Sequence, residues 1–296
     1  MHKAISDFLK LSDVDFSEKE DLSKRSFIGI GGVYDTVSPS DEVTLVELLD
    51  LLLTYGIKFK IIGRLSNTIL ADDRLDIIVA TDKMLGYTLA ENRVTALCGE
   101  RYISLFKKMA DLNISLEPKL SGIPGSIGGM IYGNAGAYGA EISDIFISAT
   151  IYDFHTRSIM VLEKKDMDFS YRRSILSNGG RALISATLLT EKLSCGEINT
   201  VKCEYMRKRM TSQPIGVRTL GSVFKRCADV CPSRLIDELG LKGFSVGGAM
   251  ISTKHAGFIE NVGGATVEDV RALIDLVKHR VFDRYGVALE EEIEIV

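Results

Sequence analysis

The first candidate for chemistry is a run of seven glycines between Glu117 and Glu141, EPKLSGIPGSIGGMIYGNAGAYGAE. Glycine adopts backbone angles that other residues avoid and lets another molecule approach the main chain closely. Because N–H groups in tight turns bind anions, the run predicts a site for a phosphate-bearing ligand. A flexible linker is also glycine-rich, but Ile123, Ile127 and Met130 have no use in a solvated linker. Neither GxxxxGK[ST] nor a strand–GxGxxG–helix motif is present.

Three polar residues elsewhere could take part in catalysis. Arg172 lies in SYRRS, and a guanidinium fork suits a carboxylate or a phosphate. Ser222 follows a glycine at the start of an apolar strand, and its hydroxyl could donate a proton. Glu292 lies in the acidic segment LEEEIE. By residue type alone, each residue has a simpler explanation. Arg172 could form a surface ion pair, Ser222 could lie in a turn, and Glu292 could be a solvated carboxylate.

The composition narrows the class of protein. The 296 residues are 46% hydrophobic and 26% charged, which is typical of a globular protein with room for two or three domains. The net charge of −4 argues against nucleic acid as a partner, because duplex binders need a broad basic surface. No apolar run approaches the roughly 20 residues of a membrane span, and the N-terminus lacks a signal-peptide core. We therefore expect a cytoplasmic protein without a membrane partner.

Cysteine and histidine give no sign of a metal site. The five cysteines are scattered and odd in number, which predicts free thiols rather than a disulfide framework. Cys227 and Cys231 could supply half of a metal site, but no second pair or neighbouring histidine completes four ligands. No metal is predicted.

Helices and strands alternate along the chain. Helical periodicity and caps predict helices over residues 41–55, 102–112, 196–210, 232–239 and 266–285, after a helical lead-in over 1–24. Apolar or alternating runs predict strands over residues 33–37, 58–62, 76–80, 94–98, 145–152, 158–162, 182–189, 218–226, 247–252, 257–261 and 287–296. The residues alone therefore predict a mixed α/β protein that binds a phosphate-bearing cofactor or substrate.

Taken together, these stretches resemble the UDP-N-acetylenolpyruvoylglucosamine reductase family, flavoenzymes of peptidoglycan precursor synthesis. Any one motif is weak evidence, but their shared order is strong. The motifs are IGG at 30–32, SN at 66–67, GIPGSIGG at 122–129, NAGAYG at 134–139, YRRS at 171–174, QP at 213–214, GSVFK at 221–225, GLKG at 240–243, GGAMISTKHAGFIEN at 247–261 and GVALEEEIE at 286–294.

The resemblance implies the fold and the cofactor. The fold would be α/β (α+β), with a two-subdomain FAD-binding unit of the vanillyl-alcohol-oxidase type over residues 1–75 and 76–210. A C-terminal α/β substrate domain would cover residues 211–296. FAD would be bound non-covalently, and NADPH would supply hydride. The implied FAD contacts are Gly63, Ser66, Asn67, Pro124, the amides of Gly125, Ser126, Ile127, Gly128 and Gly129 at phosphate, and Asn134, Ala135, Gly136, Ala137 and Tyr138 near the ring.

The resemblance also implies the reaction, in which UDP-N-acetylglucosamine-enolpyruvate is reduced to UDP-N-acetylmuramate. Arg172 would hold the substrate carboxylate as it gains charge, with Glu292 assisting there. Ser222 would donate the proton. The remaining implied substrate contacts are Tyr171, Lys225, Arg226 and His255.

Two features refine the resemblance. The short segment between Arg172 and Ser222 resembles the type II subgroup, which lacks a long tyrosine-bearing loop. The chain departs from the family pattern where Arg64 and Leu65 interrupt a GxGSN-like turn, and where Arg226 replaces an asparagine. These departures bear on FAD and substrate affinity.

Two alternatives stay open at this point. One is another FAD-dependent oxidase of the same superfold, in which histidine or cysteine often tethers the flavin. Cys98 is the only cysteine before the glycine run, and denaturation would reveal such a tether. The other is a non-catalytic flavin or nucleotide-sugar binding protein, which would not oxidise NADPH when the enolpyruvyl substrate is added.

Overall fold

The computed structural model describes residues 3–12, 14–71, 74–226 and 230–296. Cys227, half of the cysteine pair considered above, lies outside them. Over these residues the helices are α1 (Lys3–Leu11), α2 (Glu42–Thr54), α3 (Tyr102–Asp111), α4 (Ile127–Tyr132), α5 (Ile142–Ile145), α6 (Cys195–Ser212), α7 (Pro232–Glu238) and α8 (Val267–Tyr285).

The strands are β1 (Asp15–Asp21), β2 (Val33–Ser38), β3 (Phe59–Ile62), β4 (Thr68–Ile69), β5 (Ile77–Ala80), β6 (Tyr87–Ala90), β7 (Arg93–Leu97), β8 (Ile114–Ser115), β9 (Gly136–Ala137), β10 (Ala140–Glu141), β11 (Phe146–Asp153), β12 (Ser158–Glu163), β13 (Arg181–Leu189), β14 (Glu191–Lys192), β15 (Thr219–Ser222), β16 (Ser245–Val246), β17 (Ala249–Ile251), β18 (Phe258–Asn261) and β19 (Glu294–Ile295).

The chain forms two compact units. Unit one contains Met1–Glu20, Tyr34–Arg64 and Arg74–Arg207, and unit two contains Asp21–Val33, Leu65–Asp73 and Lys208–Val296. The division into two FAD-binding subdomains and one substrate domain stays a prediction.

Unit one is built on two sheets that share one apolar core. The four-stranded sheet has the order β1-β2-β5-β3, and β5 pairs in parallel with both β2 and β3. The five-stranded sheet has the order β12-β11-β13-β7-β6 and is antiparallel throughout. The core continues through α3 into the glycine run, where Ile127, Met130 and Ile131 belong to it.

Unit two is a four-stranded antiparallel sheet, β15-β18-β17-β16, with α8 packed against β16 and β17. Thr266 caps α8 in a reciprocal capping box with Asp269, and Gly286 ends it with a left-handed φ of +67°. The face that α8 buries carries Val270, Leu273, Ile274, Val277 and Val281. The helix therefore begins and ends where its caps predict.

The predicted helical lead-in is wrong beyond Leu11. Residues Asp15–Asp21 form β1, the edge strand of the four-stranded sheet. This strand, DFSEKED, is largely exposed and lacks the alternation of apolar residues that marks a half-buried strand. Its pairing with a neighbouring strand decides its conformation.

The predicted C-terminal strand over residues 287–296 is mostly wrong, because only Glu294–Ile295 is a strand. The segment changes partners along its length. The Glu292 N–H donates to Val223 O over 2.7 Å, whereas the Glu294 N–H donates to Asn67 O over 3.0 Å. Two successive neighbours interrupt a continuous ladder, which alternation alone does not reveal.

Candidate functional site

The glycine run folds into a short helix followed by a hairpin. Ser126 is the N-cap of α4, and its hydroxyl accepts a hydrogen bond from the Gly129 N–H over 3.3 Å. Strands β9 and β10 then pair, and the residues at the turn, Tyr138 and Gly139, have φ of +55° and +79°. Two successive positive φ angles are the mark of a type I′ turn, which glycine tolerates and tyrosine rarely adopts. The run is ordered main chain and not a linker.

The structure corrects the expectation that five successive amides face phosphate. The Ile127 N–H donates to Glu100 O, and the Gly128 N–H donates to Cys98 O, each over 2.8 Å. A Cβ at Gly128 would lie 3.1 Å from Cys98 O, so this glycine allows α4 to approach the residue that follows β7 closely. Sequence reasoning missed this, because a long-range backbone partner leaves no local pattern.

Other amides of the run remain available to a ligand. Among the described residues, no acceptor faces the N–H groups of Gly125, Tyr138 or Gly139. Gly125 has a φ of +143°, which only glycine adopts readily, directly before the N-cap of α4. Pro124, Ala135 and Ala137 are half-buried on the same stretch. Unpaired backbone donors of this kind fit an anionic cofactor.

The SYRRS segment lies against this hairpin. Arg172 Nη2 donates to Gly136 O over 3.2 Å, and a Cβ at Gly136 would lie 3.3 Å from Arg172 Nη1. The Arg172 guanidinium also lies 4.9 Å from the ring centre of Tyr171, which is exposed. Arg172 has a φ of +57°, an uncommon conformation for a large side chain. The fold thus brings two motifs together within unit one.

Asn134 is buried directly between these two segments. Its Nδ2 donates to Glu141 Oε2 over 2.7 Å and to the carbonyl of Ser170 over 3.0 Å. Its Oδ1 accepts from the Ser143 N–H over 3.2 Å. Both side-chain donors are therefore used inside the protein, although the sequence predicted that Asn134 contacts FAD.

The GRLSN turn comprises residues 63–67. Its first two residues belong to unit one and its last three to unit two. A Cβ at Gly63 would lie 2.6 Å from the hydroxyl of Ser126, so Gly63 adjoins the glycine run in unit one. In unit two, Asn67 Nδ2 donates to Glu292 O over 2.9 Å, and Ser66 is half-buried. Leu65 is 5% exposed with a φ of +49°, so its side chain is packed in the protein.

Ser222 and Glu292 lie on adjoining segments of unit two. The hydroxyl of Ser222 donates to Phe224 O over 3.3 Å. Ser222 and Glu292 are half-buried. Val223, next to Ser222, accepts from the Glu292 N–H over 2.7 Å. The pairing of these segments places a hydroxyl and a carboxylate, distant in sequence, on neighbouring main chain.

The predicted substrate residues of unit two have protein partners as well. Lys225 Nζ pairs with Glu290 Oε1. Burial alone would raise the pKa of Cys231, but the Ser233 hydrogen bond and the charge of Arg226 outweigh it and lower that pKa. Arg226 is exposed. Lys225 and Arg226 are therefore cations close to the end of β15. A ligand that binds them would have to share or displace their present partners.

His255 is half-buried, and its Nδ1 accepts from the Gly257 N–H over 3.1 Å. Its ring meets Phe258 edge-on, with 4.8 Å between ring centres. Burial, assisted by the charge of Lys242, lowers the pKa of His255 from 6.5. The imidazole is therefore neutral at neutral pH, with an internal structural hydrogen bond.

Cys98 is 2% exposed, and its burial raises its pKa to about 12. A thiol with this pKa carries almost no thiolate at neutral pH, and the thiolate is the reactive form. Cys195, Cys203 and Cys231 are free thiols too. Cys98 is therefore poorly suited to form a covalent bond to flavin.

Sequence reasoning missed residues that hold this site. Glu100 is 3% exposed, and its Oε1 accepts from Lys108 Nζ over 3.0 Å. Its backbone carbonyl accepts from the Ile127 N–H at the start of α4. Glu141 ends the glycine run and accepts from Asn134. The ring of Tyr205, on α6, lies 5.1 Å from that of Tyr138. Only Glu141 had a signal, its position at the end of the run.

Two further features of the described residues bear on function. No cluster of histidine, cysteine and acidic side chains there could hold a metal ion. No helix among them combines the length and the apolar character needed to cross a bilayer.

Two family models match the chain. The FAD binding domain model matches residues 36–156. The model of the UDP-N-acetylenolpyruvoylglucosamine reductase C-terminal domain matches residues 213–296.

Individual proteins match over almost the whole length. A UDP-N-acetylenolpyruvoylglucosamine reductase of Petrotoga mobilis is 38% identical and aligns over 98% of this chain and 99% of its own. One of Clostridioides difficile is 35% identical over 97% of this chain and 95% of its own. The crystal structure of UDP-N-acetylenolpyruvylglucosamine reductase from Thermus caldophilus is 27% identical, with a TM-score of 0.80, and covers 95% of this chain and 98% of its own. These matches confirm the predicted fold class, an α/β (α+β) protein with an FAD-binding unit and a C-terminal α/β domain.

Proposed function

The chain belongs to the UDP-N-acetylenolpyruvoylglucosamine reductase family, and we propose that it reduces UDP-N-acetylglucosamine-enolpyruvate to UDP-N-acetylmuramate. The family resemblance inferred from the sequence motifs is thereby confirmed. The protein is an FAD-dependent oxidoreductase for which NADPH is the hydride donor. We place the reaction in the cytoplasm, where NADPH and nucleotide sugars are available.

When bound, FAD takes hydride from NADPH and supplies it to the methylene carbon of the enolpyruvyl group. We propose that the N–H groups of Gly125, Tyr138 and Gly139 bind its anionic and polar atoms, because no acceptor among the described residues faces them. The flavin is held non-covalently, a proposal supported by the burial of Cys98 and the high pKa of its thiol. The other predicted contacts remain proposals; they are Gly63, Ser66, Asn67, Pro124, Ser126, Gly129, Ala135, Gly136 and Ala137.

Arg172 binds the substrate carboxylate in this proposal. Negative charge moves into that carboxylate when the adjacent double bond accepts hydride, and a fixed guanidinium stabilises it as it forms. The hydrogen bond to Gly136 O supports this role, because it holds the guanidinium at the glycine run, and the cation–π contact with Tyr171 further restricts the side chain. The left-handed backbone of Arg172 supports it as well, since strain of this kind is concentrated at functional sites.

Ser222 donates the proton to the carbon that bears the ether oxygen, and the hydroxyl is then reprotonated from solvent. Its hydrogen bond to Phe224 O is long, at 3.3 Å, so the hydroxyl can turn towards substrate at small cost. Glu292 assists at the substrate carboxylate. The observation that carries these two roles is the bond from the Glu292 N–H to Val223 O, which sets the two segments side by side.

Membership of the type II subgroup is part of the proposal. From Arg172 to Ser222 the described chain is mostly occupied by β13, β14, α6 and β15, with a short irregular segment at 213–218 before β15. This leaves no room for a long tyrosine-bearing loop.

An anaerobic stopped-flow experiment tests the proposal. The pre-reduced enzyme is mixed with UDP-N-acetylglucosamine-enolpyruvate, and flavin reoxidation is followed by absorbance. The wild type should reoxidise with formation of UDP-N-acetylmuramate. Ser222→Ala should keep fast reduction by NADPH and slow reoxidation by roughly 10²- to 10⁴-fold, the usual contribution of a positioned proton donor.

Two results would count against it. If Ser222→Ala loses flavin reduction but keeps reoxidation, the role of Ser222 is wrong. If the wild-type reduced enzyme reacts with O₂ and ignores the enolpyruvyl substrate, an oxidase of the same superfold is the better assignment. Ser233→Ala is a matched control, because Ser233 is bonded to Cys231 and has no assigned role in the reaction.

A further inference from the structure

Asn134 is placed to control Arg172 rather than to touch a ligand through its side chain. It is 1% exposed and follows α4 with a φ of +41°. An asparagine side chain has two N–H donors and one carbonyl acceptor. Here the two N–H groups donate to Glu141 and to the carbonyl of Ser170. The side-chain carbonyl accepts from the Ser143 N–H. Because the Ser143 amide needs an acceptor and the Ser170 carbonyl needs a donor, the orientation of the amide group is fixed.

Ser170 begins the turn that carries Arg172. The Ser170 N–H donates to Arg173 O and the Arg173 N–H to Ser170 O, each over 3.1 Å, so residues 170–173 form a tight reversal. Arg172 occupies the third position of this reversal with a left-handed φ of +57°. A hydrogen bond from Asn134 to Ser170 O therefore fixes the base of the turn whose tip is Arg172.

Glu141 connects the hairpin that contacts Arg172 back to Asn134. It lies opposite Gly136 in the β9–β10 hairpin, and Gly136 O accepts from Arg172. Its own backbone N–H donates to Asp144 Oδ2 over 2.8 Å in the capping box of α5. These contacts form a closed circuit, which runs from Asn134 through Ser170, Arg172, Gly136 and Glu141 back to Asn134.

From this circuit we infer that Asn134 is a positioning residue for Arg172, and that the Glu141 carboxylate is the acceptor that holds it. The inference rests on the carboxylate-binding role proposed for Arg172. It replaces the predicted contact between the Asn134 side chain and FAD, because both amide donors are already used.

The substitution Asn134→Asp tests the pair by charge alone. It keeps the size of the side chain but sets a second carboxylate where Asn134 lies 2.7 Å from Glu141. Two carboxylates at this distance, one buried and one half-buried, cannot both ionise without large cost, and one of them takes up a proton when the pH falls. The protonated form can again donate to its neighbour. Glu141→Gln in the same chain supplies an N–H donor instead, so it should restore the pair at neutral pH.

The expected results distinguish a positioning role of Asn134 from a purely structural one. Asn134→Asp should slow reoxidation of the reduced holoenzyme by the enolpyruvyl substrate by about 10²-fold at neutral pH, the usual effect of a misplaced group. Reduction by NADPH should change little. Lowering the pH should recover part of the rate relative to wild type, and Asn134→Asp/Glu141→Gln should recover part of it without a pH change. Neither recovery is complete, because residue 134 then has at most one donor for its two acceptors, Ser170 O and residue 141. Binding of UDP-N-acetylglucosamine, which has no enolpyruvyl carboxylate, should be unaffected.

Asn178→Asp is the matched control, because this exposed asparagine pairs with the neighbouring Arg173 over 2.7 Å. A wild-type reoxidation rate in Asn134→Asp overturns the inference, and so does a slow variant that neither acid nor Glu141→Gln rescues. If Asn134→Asp alone does not fold, the double variant carries the test, and its failure to fold or react overturns the inference.

A second measurement keeps this result distinct from the proposed function. In this variant the close approach of two carboxylates favours uptake of one proton by the pair in the folded state, so the unfolding free energy of Asn134→Asp should rise relative to wild type as the pH falls. No substrate is needed for this measurement. A wild type that ignores the enolpyruvyl substrate refutes the proposed function, whereas a flat stability difference refutes the Asn134–Glu141 pair.

Discussion

Gly63 lies directly against the hydroxyl of Ser126, because a Cβ at residue 63 would come within 2.6 Å of Ser126 Oγ. The backbone of Gly63 is outside the left-handed region, so alanine would meet this hydroxyl but no backbone strain. The same hydroxyl is the N-cap acceptor of α4. The turn after β3 and the helix of the glycine run therefore share one side-chain oxygen.

We predict that Gly63→Ala and Ser126→Ala are strongly non-additive. Either change alone should cost about 1 kcal/mol of unfolding free energy, because each removes the cap on α4. In the Ser126→Ala background the obstructing oxygen is gone, so Gly63→Ala should then cost almost nothing. Urea unfolding of the four proteins measures this, and costs that simply add would disprove the contact.

Replacement of Arg172 by lysine should damage the second half-reaction selectively. Lysine keeps the charge but loses the planar fork. We expect the rate of substrate reduction to fall about 10²-fold, comparable to removal of one oxyanion-hole donor, while flavin reduction by NADPH is unchanged. Rapid-mixing kinetics of both half-reactions provide the measurement.

The control for Arg172 is Arg173→Lys, since Arg173 is exposed and bonded to Asn178. It should behave as wild type in both half-reactions. Equal losses in the two variants would mean that the SYRRS segment contributes only general positive charge.

The aromatic contact between Tyr138 and Tyr205 should affect FAD affinity. Tyr138 occupies a strained turn position, and Tyr205 packs on its ring at 5.1 Å. Aromatic pairs contribute about 0.5–1.5 kcal/mol, so Tyr205→Leu should weaken FAD binding by roughly 2- to 10-fold. Tyr205→Phe keeps the ring and should bind as wild type does. Fluorescence titration of the apoprotein with FAD gives the dissociation constants.

Val201→Ala controls for the helix itself, because Val201 is an exposed residue of α6. Its FAD affinity should equal that of the wild type. Loss of affinity in Tyr205→Phe would show that the hydroxyl, and not the ring contact, is what matters.

His255 should make the protein less stable in acid. Burial lowers its pKa below 6.5 in the folded state, so the unfolded chain binds the proton more readily. Stability from this residue is complete above about pH 6.5 and is lost as the pH falls from there to the lower folded pKa. His255→Asn keeps an acceptor for the Gly257 N–H but does not titrate. The difference between the two urea-unfolding profiles should therefore be confined to this window, and parallel profiles would contradict the prediction.

Local sequence signals determined several elements and the family. The helices predicted over residues 41–55 and 266–285 agree with α2 and α8, whose N-caps are Asp41 and Thr266. Caps and apolar periodicity act over a few residues, so they can be read without knowledge of the fold. The ordered motifs identified the family for the same reason, because each motif is a short run.

The tertiary structure decided which groups of the glycine run remain for a ligand. Gly128 and Ile127 were predicted phosphate donors, yet their N–H groups bind the carbonyls of Cys98 and Glu100. Asn134 was a predicted FAD contact, yet its amide joins Ser170 to Glu141. A residue type states how many hydrogen bonds a group can make, whereas only long-range packing decides with which partners it makes them.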